Sequence, residues 1–305
     1  MALALLFPGQ GAQHAGMLPW LDTRPEAAPV LQALSHQLGR DWRTGLADTA
    51  WMNTNAVAQP LLTGVCLAAW RALAAHLPSP IAVAGYSVGE LAACSAAGVF
   101  DTPTALALAA RRAQAMDASV TGQHTGLLAV QGPGALALAE AAGTLSIAIR
   151  ISPERVIVGG PAVALDAHAA RWAAAGLRCT RLPIAVASHT PAMAAAVAAF
   201  AQHLAAADLQ PARAPVVCNF GARALRQPAQ LATALAGQIA STVRWDECMD
   251  TLAERQPRCV LEVGPGSTLA AMWRERHPGI PVRSVDEFGG PDGVVRWVSA
   301  QLARQ

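Results

Sequence analysis

Residues 81–94, IAVAGYSVGELAAC, compress an apolar run, a Gly-x-Ser-x-Gly turn and the start of an alanine-rich helix into fourteen positions. Few local patterns restrict a chain more. The run at 81–84 reads as a buried strand, and the glycines at 85 and 89 remove side chains that would collide where a strand turns straight into a helix. Ser87 is left at the apex, its hydroxyl exposed. The helix N-terminus behind it supplies N–H groups and a positive dipole end that favour developing negative charge. Strand before and helix after is the context a nucleophile elbow requires, so Ser87 is the candidate nucleophile; the competing reading is a purely structural glycine turn.

The surrounding pattern is that of an α/β protein. Short β-branched or apolar runs alternate with Ala/Leu-rich segments at helical spacing, which predicts a mainly parallel sheet. The first strand is expected at 2–7, ended by Pro8-Gly9. A helix is expected over 60–76, a strand at 81–84, a helix starting directly at Ser87 and another over 102–116. The middle of the chain then changes character: strand 126–130, helix 134–142, strands 145–150 and 155–158, helix 162–175, strand 178–182. That β-α-β-β-α-β order is the split βαβ arrangement of a ferredoxin-like module. A small domain at 122–187 is therefore expected inside a larger one made of 1–121 and 188–305, which resumes with a helix from Pro191 and strands near 215–218 and 259–263.

Composition narrows the function classes. In 305 residues, 53% are hydrophobic and 14% charged, as in a well-buried globular chain. A formal charge of +2 lacks the basic excess of a dedicated nucleic-acid binder. The Ala-rich runs are broken by Arg, His, Gln or Asp, so no membrane span is expected, and the opening MALALLFPGQGAQ reads as a strand in preference to a signal peptide. Six scattered cysteines without a CxxC pair or metal-ligand spacing read as free thiols of a cytoplasmic protein.

A serine nucleophile needs a base. Of eight histidines, most sit in helical patterns among polar neighbours. His189 follows the strand-like LPIAVAS and precedes Thr190-Pro191, at a strand-end loop where a helix begins, and loops of that kind present catalytic groups. His277 is its main rival.

Taken together, these residues resemble the malonyl-CoA:acyl carrier protein transacylase family, which includes the acyltransferase domains of polyketide synthases. The likeness runs over nearly the whole chain through motifs in order: Phe7-Pro8-Gly9-Gln10-Gly11-Ala12-Gln13 with Gly16-Met17, Gln59-Pro60-Leu61-Leu62, Gly85-Tyr86-Ser87-Val88-Gly89-Glu90, Ala97-Gly98-Val99, Arg111-Arg112-Ala113-Gln114-Ala115-Met116, Ser188-His189 and Glu262-Val263-Gly264-Pro265-Gly266. The resemblance implies a large α/β-hydrolase-like domain with a parallel sheet and an inserted small ferredoxin-like α+β domain. It implies Ser87 as nucleophile, His189 as general base oriented by the main-chain carbonyl of Gln238, and an oxyanion hole from the N–H groups of Gln10 and Val88. Arg112 would hold the free carboxylate of malonyl or a related dicarboxylic acyl group, with Gln59, Tyr86 and Met116 lining the same pocket. A guanidinium suits that task because its donors match a carboxylate and because its burial is costly without an anion. Arg111 reads as an ordinary surface charge.

The implied activity is ping-pong malonyl transfer from malonyl-CoA to the phosphopantetheine thiol of an acyl carrier protein, with no metal or redox cofactor and no nucleic-acid or membrane partner. Two departures point to a specialised member. The common family elbow is Gly-His-Ser-Leu-Gly, whereas Tyr86 precedes the serine here; and Ile151 stands before Ser152 where the family usually has Asn. A transacylase subunit of a malonate decarboxylase complex and a free-standing enzyme of fatty acid or polyketide biosynthesis both fit, as does an acyltransferase for a different acyl-CoA. Outside the family, a Ser-Asp-His hydrolase built from Ser87, Asp246 or Asp250, and His277, and a catalytically silent carrier-docking subunit, are the competing readings.

Overall fold

Two sheets organise residues 2–304, which the computed structural model describes. The larger contains β1 (Leu3–Phe7), β2 (Ala82–Gly85), β7 (Val216–Cys218), β8 (Arg223–Leu225), β10 (Cys259–Glu262) and β11 (Val282–Ser284), in the order β11-β10-β1-β2-β7-β8. All neighbours are parallel except the edge strand β8, which runs antiparallel to β7. Every residue of β1 is buried because helices cover both faces. Leu3, Leu5 and Phe7 face one core with the helices Asn55–Ala74, Gly89–Ala96, Thr102–Ser119 and Ala194–Ala205, whereas Ala4 and Leu6 face another with Trp245 and Trp273. The period-2 alternation of a strand thus divides β1 between two hydrophobic layers.

The second sheet takes β3 (Thr125–Gln131), β4 (Ser146–Ser152), β5 (Arg155–Pro161) and β6 (Arg178–Arg181) in the order β6-β3-β5-β4, all antiparallel, with helices Ala135–Glu140 and Ala162–Ala174 between them. This is the ferredoxin-like order. A fifth strand comes from outside that stretch: β9 (Val243–Arg244) pairs in parallel with β4 through Ile149–Val243 and Arg150–Arg244. Arg150 adds ion pairs to Asp246, with Nε 2.7 Å from Oδ2, and to Glu247, on the helix that follows β9. Strand pairing and charge therefore tie the second sheet to the segment that follows residue 242.

Several elements depart from the sequence reading. The helix expected at 60–76 begins earlier, at Asn55, with Pro60 inside it. Pro60 reads as a helix start because proline is favoured there, but here it lies about a turn and a half in, where its missing N–H costs one ladder bond. Gln59 is consequently helical, one turn beyond Asn55. At 20 residues this helix also meets the length and composition needed to cross a membrane, contrary to the expectation that no stretch would, yet it is packed within the fold as a core helix. The helix after the elbow begins at Gly89 and not at Ser87, and the one expected from Pro191 opens with a 3-10 turn, Pro191–Met193, before Ala194–Ala205.

Candidate active site

The carboxyl ends of β1, β2 and β7 lie side by side, and each delivers a loop to one point. Ligand sites of open parallel sheets sit at such ends. After β2 the chain turns in three residues. A Cβ on Gly85 would stand 2.1 Å from the Glu90 nitrogen, and one on Gly89 would stand 2.2 Å from the Phe7 carbonyl oxygen, so both positions must be glycine for the turn to close against β1. Ser87 takes the left-handed conformation, φ 55°. For a residue with a Cβ that costs about 1–3 kcal/mol, a strain found where the surrounding structure holds a functional group in place.

His189 meets it. Its Nε2 lies 2.7 Å from Ser87 Oγ, and its Nδ1 lies 2.6 Å from the main-chain oxygen of Gln238. His189 also has a positive φ, 63°, and its N–H donates to the Ile239 carbonyl at 2.8 Å. Both acceptors belong to the 3-10 turn Gln238–Ala240, which continues the helix Pro228–Gly237. The carbonyls at a helix C-terminus have no intrahelical partners, so here they anchor the imidazole. With Nδ1–H donated to a carbonyl, the Nε2 lone pair faces the serine. Burial, with the positive charge of Arg112 acting in the same direction, holds His189 down to about 3, although the Gln238 carbonyl opposes the shift. The imidazole is therefore neutral at pH 7.

Arg112, on the helix Thr102–Ser119, is buried to within 1% exposure. Its Nη1 donates to Gln59 Oε1 at 2.7 Å and its Nη2 to Gln238 Oε1 at 3.1 Å, with Ser87 Oγ 3.5 Å from Nη2. Both strong partners are neutral amides, its Nε has no partner, and no carboxylate among the described residues bridges to it. Burial pushes the guanidinium down to about 10, so it stays charged. Gln59 is oriented by Asn55, to whose Oδ1 its Nε2 donates at 2.6 Å, and it touches the Met116 sulfur at 3.5 Å. Arg111 is exposed, and its Nη1 donates to Gln114 Oε1 at 3.1 Å.

The main-chain N–H groups of Gln10 and Val88 donate to no protein acceptor among the described residues. The Tyr86 N–H donates to the Phe7 carbonyl at 2.9 Å, tying the elbow to the end of β1 just before Gln10. Gln10 also lines a cleft of about 580 Å³ with Asn55, Asp117, Arg181 and Ile184. Another cleft, of about 740 Å³ around Trp70, Arg71 and Arg213, contains none of these groups.

The two departures from the common family pattern sit in one hydrophobic cluster. The Tyr86 ring packs edge-on against Trp245, centroids 5.1 Å apart, and Ile151 is buried with Trp245 in the same core. The rival constellation does not assemble. His277 packs tilted against Trp273 and faces Asp250, Asp250 is held by Arg276, and Asp246 is paired with Arg150. The only side chains bonded to Ser87 Oγ among the described residues are His189 and Arg112. Sequence reasoning missed Asn219, whose Oδ1 accepts the Ser87 N–H at 2.7 Å. Its one signal was position: a polar residue just past the end of a buried parallel strand.

The profile of the family described as "Acyl transferase domain" matches residues 4–281. A curated relative, the malonyl CoA-acyl carrier protein transacylase of Mycobacterium tuberculosis (strain ATCC 25618 / H37Rv), is 34% identical over 291 residues, covering 93% of this chain and 96% of its own. The crystal structure of MCAT from Mycobacterium tuberculosis superposes with a TM-score of 0.89 at 32% identity, over 97% of this chain and all of that one. A type II PKS acyl-carrier protein in complex with its malonyl-transacylase (PlMCAT:AntF) gives a TM-score of 0.90 at 25% identity, over 97% and 99%. Sequence and fold thus agree from end to end, and the chain belongs to the acyl transferase domain family, that of the malonyl CoA-acyl carrier protein transacylases.

Proposed function

We propose that the protein transfers a malonyl group from malonyl-CoA to the phosphopantetheine thiol of an acyl carrier protein through a malonyl ester on Ser87. The observation that carries this reading is the buried Arg112, a cation facing the nucleophile with only neutral amides as partners. A buried cation without an ion-paired carboxylate is costly, and a ligand of opposite sign would offset that cost. The free carboxylate of a dicarboxylic acyl group supplies that charge.

In the forward half-reaction His189 Nε2 takes the Ser87 proton as Oγ attacks the thioester carbonyl. The N–H groups of Gln10 and Val88 receive the oxyanion. The carbon–sulfur bond then breaks, and the CoA sulfur leaves as the thiol, taking the proton back from His189 Nε2 so that the imidazole is neutral again. In the second half the carrier thiol gives its proton to His189 and attacks the ester. Ser87 Oγ departs and recovers that proton. The Gln238 carbonyl keeps the imidazole in the required tautomer and supports its transient positive charge. No step calls for a metal or a redox cofactor.

The related transacylase in complex with its carrier protein supports a carrier protein as acceptor. Six free cysteines, five of them buried, fit a reducing cytoplasmic setting. A role in fatty acid or polyketide assembly suits these features.

The test is intact-mass and peptide analysis after incubation with malonyl-, methylmalonyl- and acetyl-CoA in competition. A malonyl adduct on Ser87, discharged by holo-carrier protein, is the expected result. No adduct with any acyl-CoA, or one discharged only by water, overturns the reading.

A further inference from the structure

Behind the elbow lies a buried polar unit that the reaction scheme leaves without a role. β2 pairs with β7 through Val83–Val216 and Ala84–Val217, and the ladder stops where β2 turns into the elbow. Asn219, wholly buried just past β7, continues it with its side chain. Its Nδ2 donates to the Gly85 carbonyl at 2.7 Å and its Oδ1 accepts from the Ser87 N–H at 2.7 Å. A primary amide carries the donor and acceptor of a peptide group, so this one side chain replaces the two main-chain bonds that a further strand residue would have made. Asn219 is fixed in turn by Glu90, whose Oε1 accepts the Asn219 N–H at 2.7 Å. Glu90 is wholly buried, its Oε2 has no partner, and burial pushes its carboxyl up to about 8. At neutral pH it therefore presents Oε1 as the carbonyl oxygen of a neutral acid.

We propose that Asn219, held by Glu90, is the positioning residue of the nucleophile: it locks Ser87 at positive φ, which keeps Oγ on His189 Nε2 and the Val88 N–H turned towards the developing oxyanion. The inference rests on Ser87 being the nucleophile. Asn219 touches neither acyl group nor thiol, so its loss should slow chemistry and leave substrate affinity in place. A merely structural role would lower the fraction of folded protein without separating kcat from KM.

The experiment compares Asn219→Ala, Asn219→Asp, Glu90→Ala and Glu90→Gln by two readouts. One is the rate at which a fluorophosphonate labels Ser87, which requires a poised serine but no acyl substrate. The other is kcat and KM for malonyl-CoA, both measured on samples shown to be folded by a cooperative unfolding transition. Asn219→Ala should lower labelling and kcat together by about 10- to 100-fold, the size expected from misplacing a reacting group by about an ångström. KM should stay within about twofold, the sign of an interaction made in the transition state only. Asn219→Asp keeps an acceptor for Ser87 but sets a carboxylate oxygen against the Gly85 carbonyl, and should show the same split. Glu90→Gln, which mimics the neutral acid, should restore most of the rate lost in Glu90→Ala. Wild-type labelling rates in the Asn219 variants, or a defect confined to KM, overturn the proposal. Should Asn219→Ala fail to fold, Asn219→Asp and the Glu90 pair decide it, and equal rates for Glu90→Ala and Glu90→Gln count against it. Wild-type protein that is labelled at Ser87 but never takes a malonyl group defeats the proposed function and leaves the positioning role to be judged on the labelling rates alone.

Discussion

The guanidinium of Arg112 stands with Nη2 3.5 Å from the hydroxyl oxygen of Ser87, which itself lies 2.7 Å from His189 Nε2. One fixed cation therefore acts on two steps with opposite signs. In the proposed mechanism it would favour negative charge on the serine oxygen and oppose the proton that His189 would accept. A substrate carboxylate on Arg112 would offset the second effect, so a dicarboxylic acyl group would improve the base as well as fill the pocket. An acyl group without a carboxylate leaves the cation uncompensated.

Acyl choice should follow. Removing Arg112 forfeits charge-assisted hydrogen bonds worth about 1.5–3 kcal/mol each. For Arg112→Ala, kcat/KM with malonyl-CoA should fall by about a hundredfold or more. Activity with acetyl-CoA should rise relative to malonyl-CoA in a competition assay. An unchanged malonyl-to-acetyl ratio would remove Arg112 from the specificity argument.

The same contact sets a pH dependence. The Arg112 charge helps to hold His189 down to about 3. Arg112→Gln removes that charge at similar length, so the His189 value should rise and the acid limb of the kcat/KM profile should move to higher pH. Acetyl-CoA is the substrate to use, since it brings no carboxylate. An acid limb that stays in place would separate the two residues electrostatically.

Much of the site was legible because its chemistry depends on local pattern. Gly85, Ser87 and Gly89 announce the elbow through sterics alone, and the ends of β1 and β2 bring Gln10 beside it. The ferredoxin-like order was likewise readable, since each of its strands and helices has its own period. What could not be read were features made by distant segments meeting. The two-residue β9 joins the second sheet only because Ile149 and Arg150 offer an open edge. Asn219 acts through main-chain atoms of residues more than 130 positions away, which leaves no periodic trace. The arrangement of Gln59 was hidden for a different reason: Pro60 looks like a helix start, and only tertiary packing carries the helix back to Asn55.

The choice of base can be decided by substitution. His189→Ala should reduce acyl-serine formation by about 10²- to 10⁴-fold, the usual contribution of a general base. His277→Ala should leave acylation near the wild-type rate, because that ring packs on Trp273 and faces Asp250. The opposite pattern, with His277→Ala alone losing acylation, would reinstate the hydrolase-type arrangement.

Glu90 also makes stability depend on pH in a direction unusual for a carboxylate. Its carboxyl has an ordinary value of 4.5, which applies to the unfolded chain, and burial raises it to about 8 in the fold. Between those values the folded state holds a proton that the unfolded state has released. The favourable contribution is therefore complete below 4.5, declines as pH rises, and is gone above about 8, at a slope of about 1.4 kcal/mol per pH unit for one fully shifted proton. Glu262 shifts the same way, to about 8, while His189, held down to about 3, contributes an opposite slope below its ordinary 6.5. Both of those effects cancel when wild type is compared with Glu90→Gln, which cannot ionise. Urea unfolding of the two proteins from pH 5 to pH 8 should show the variant gaining on wild type as pH rises. A difference independent of pH over that range would mean that Glu90 is already ionised in the fold, and the neutral-acid picture of its contact with Asn219 would have to be abandoned.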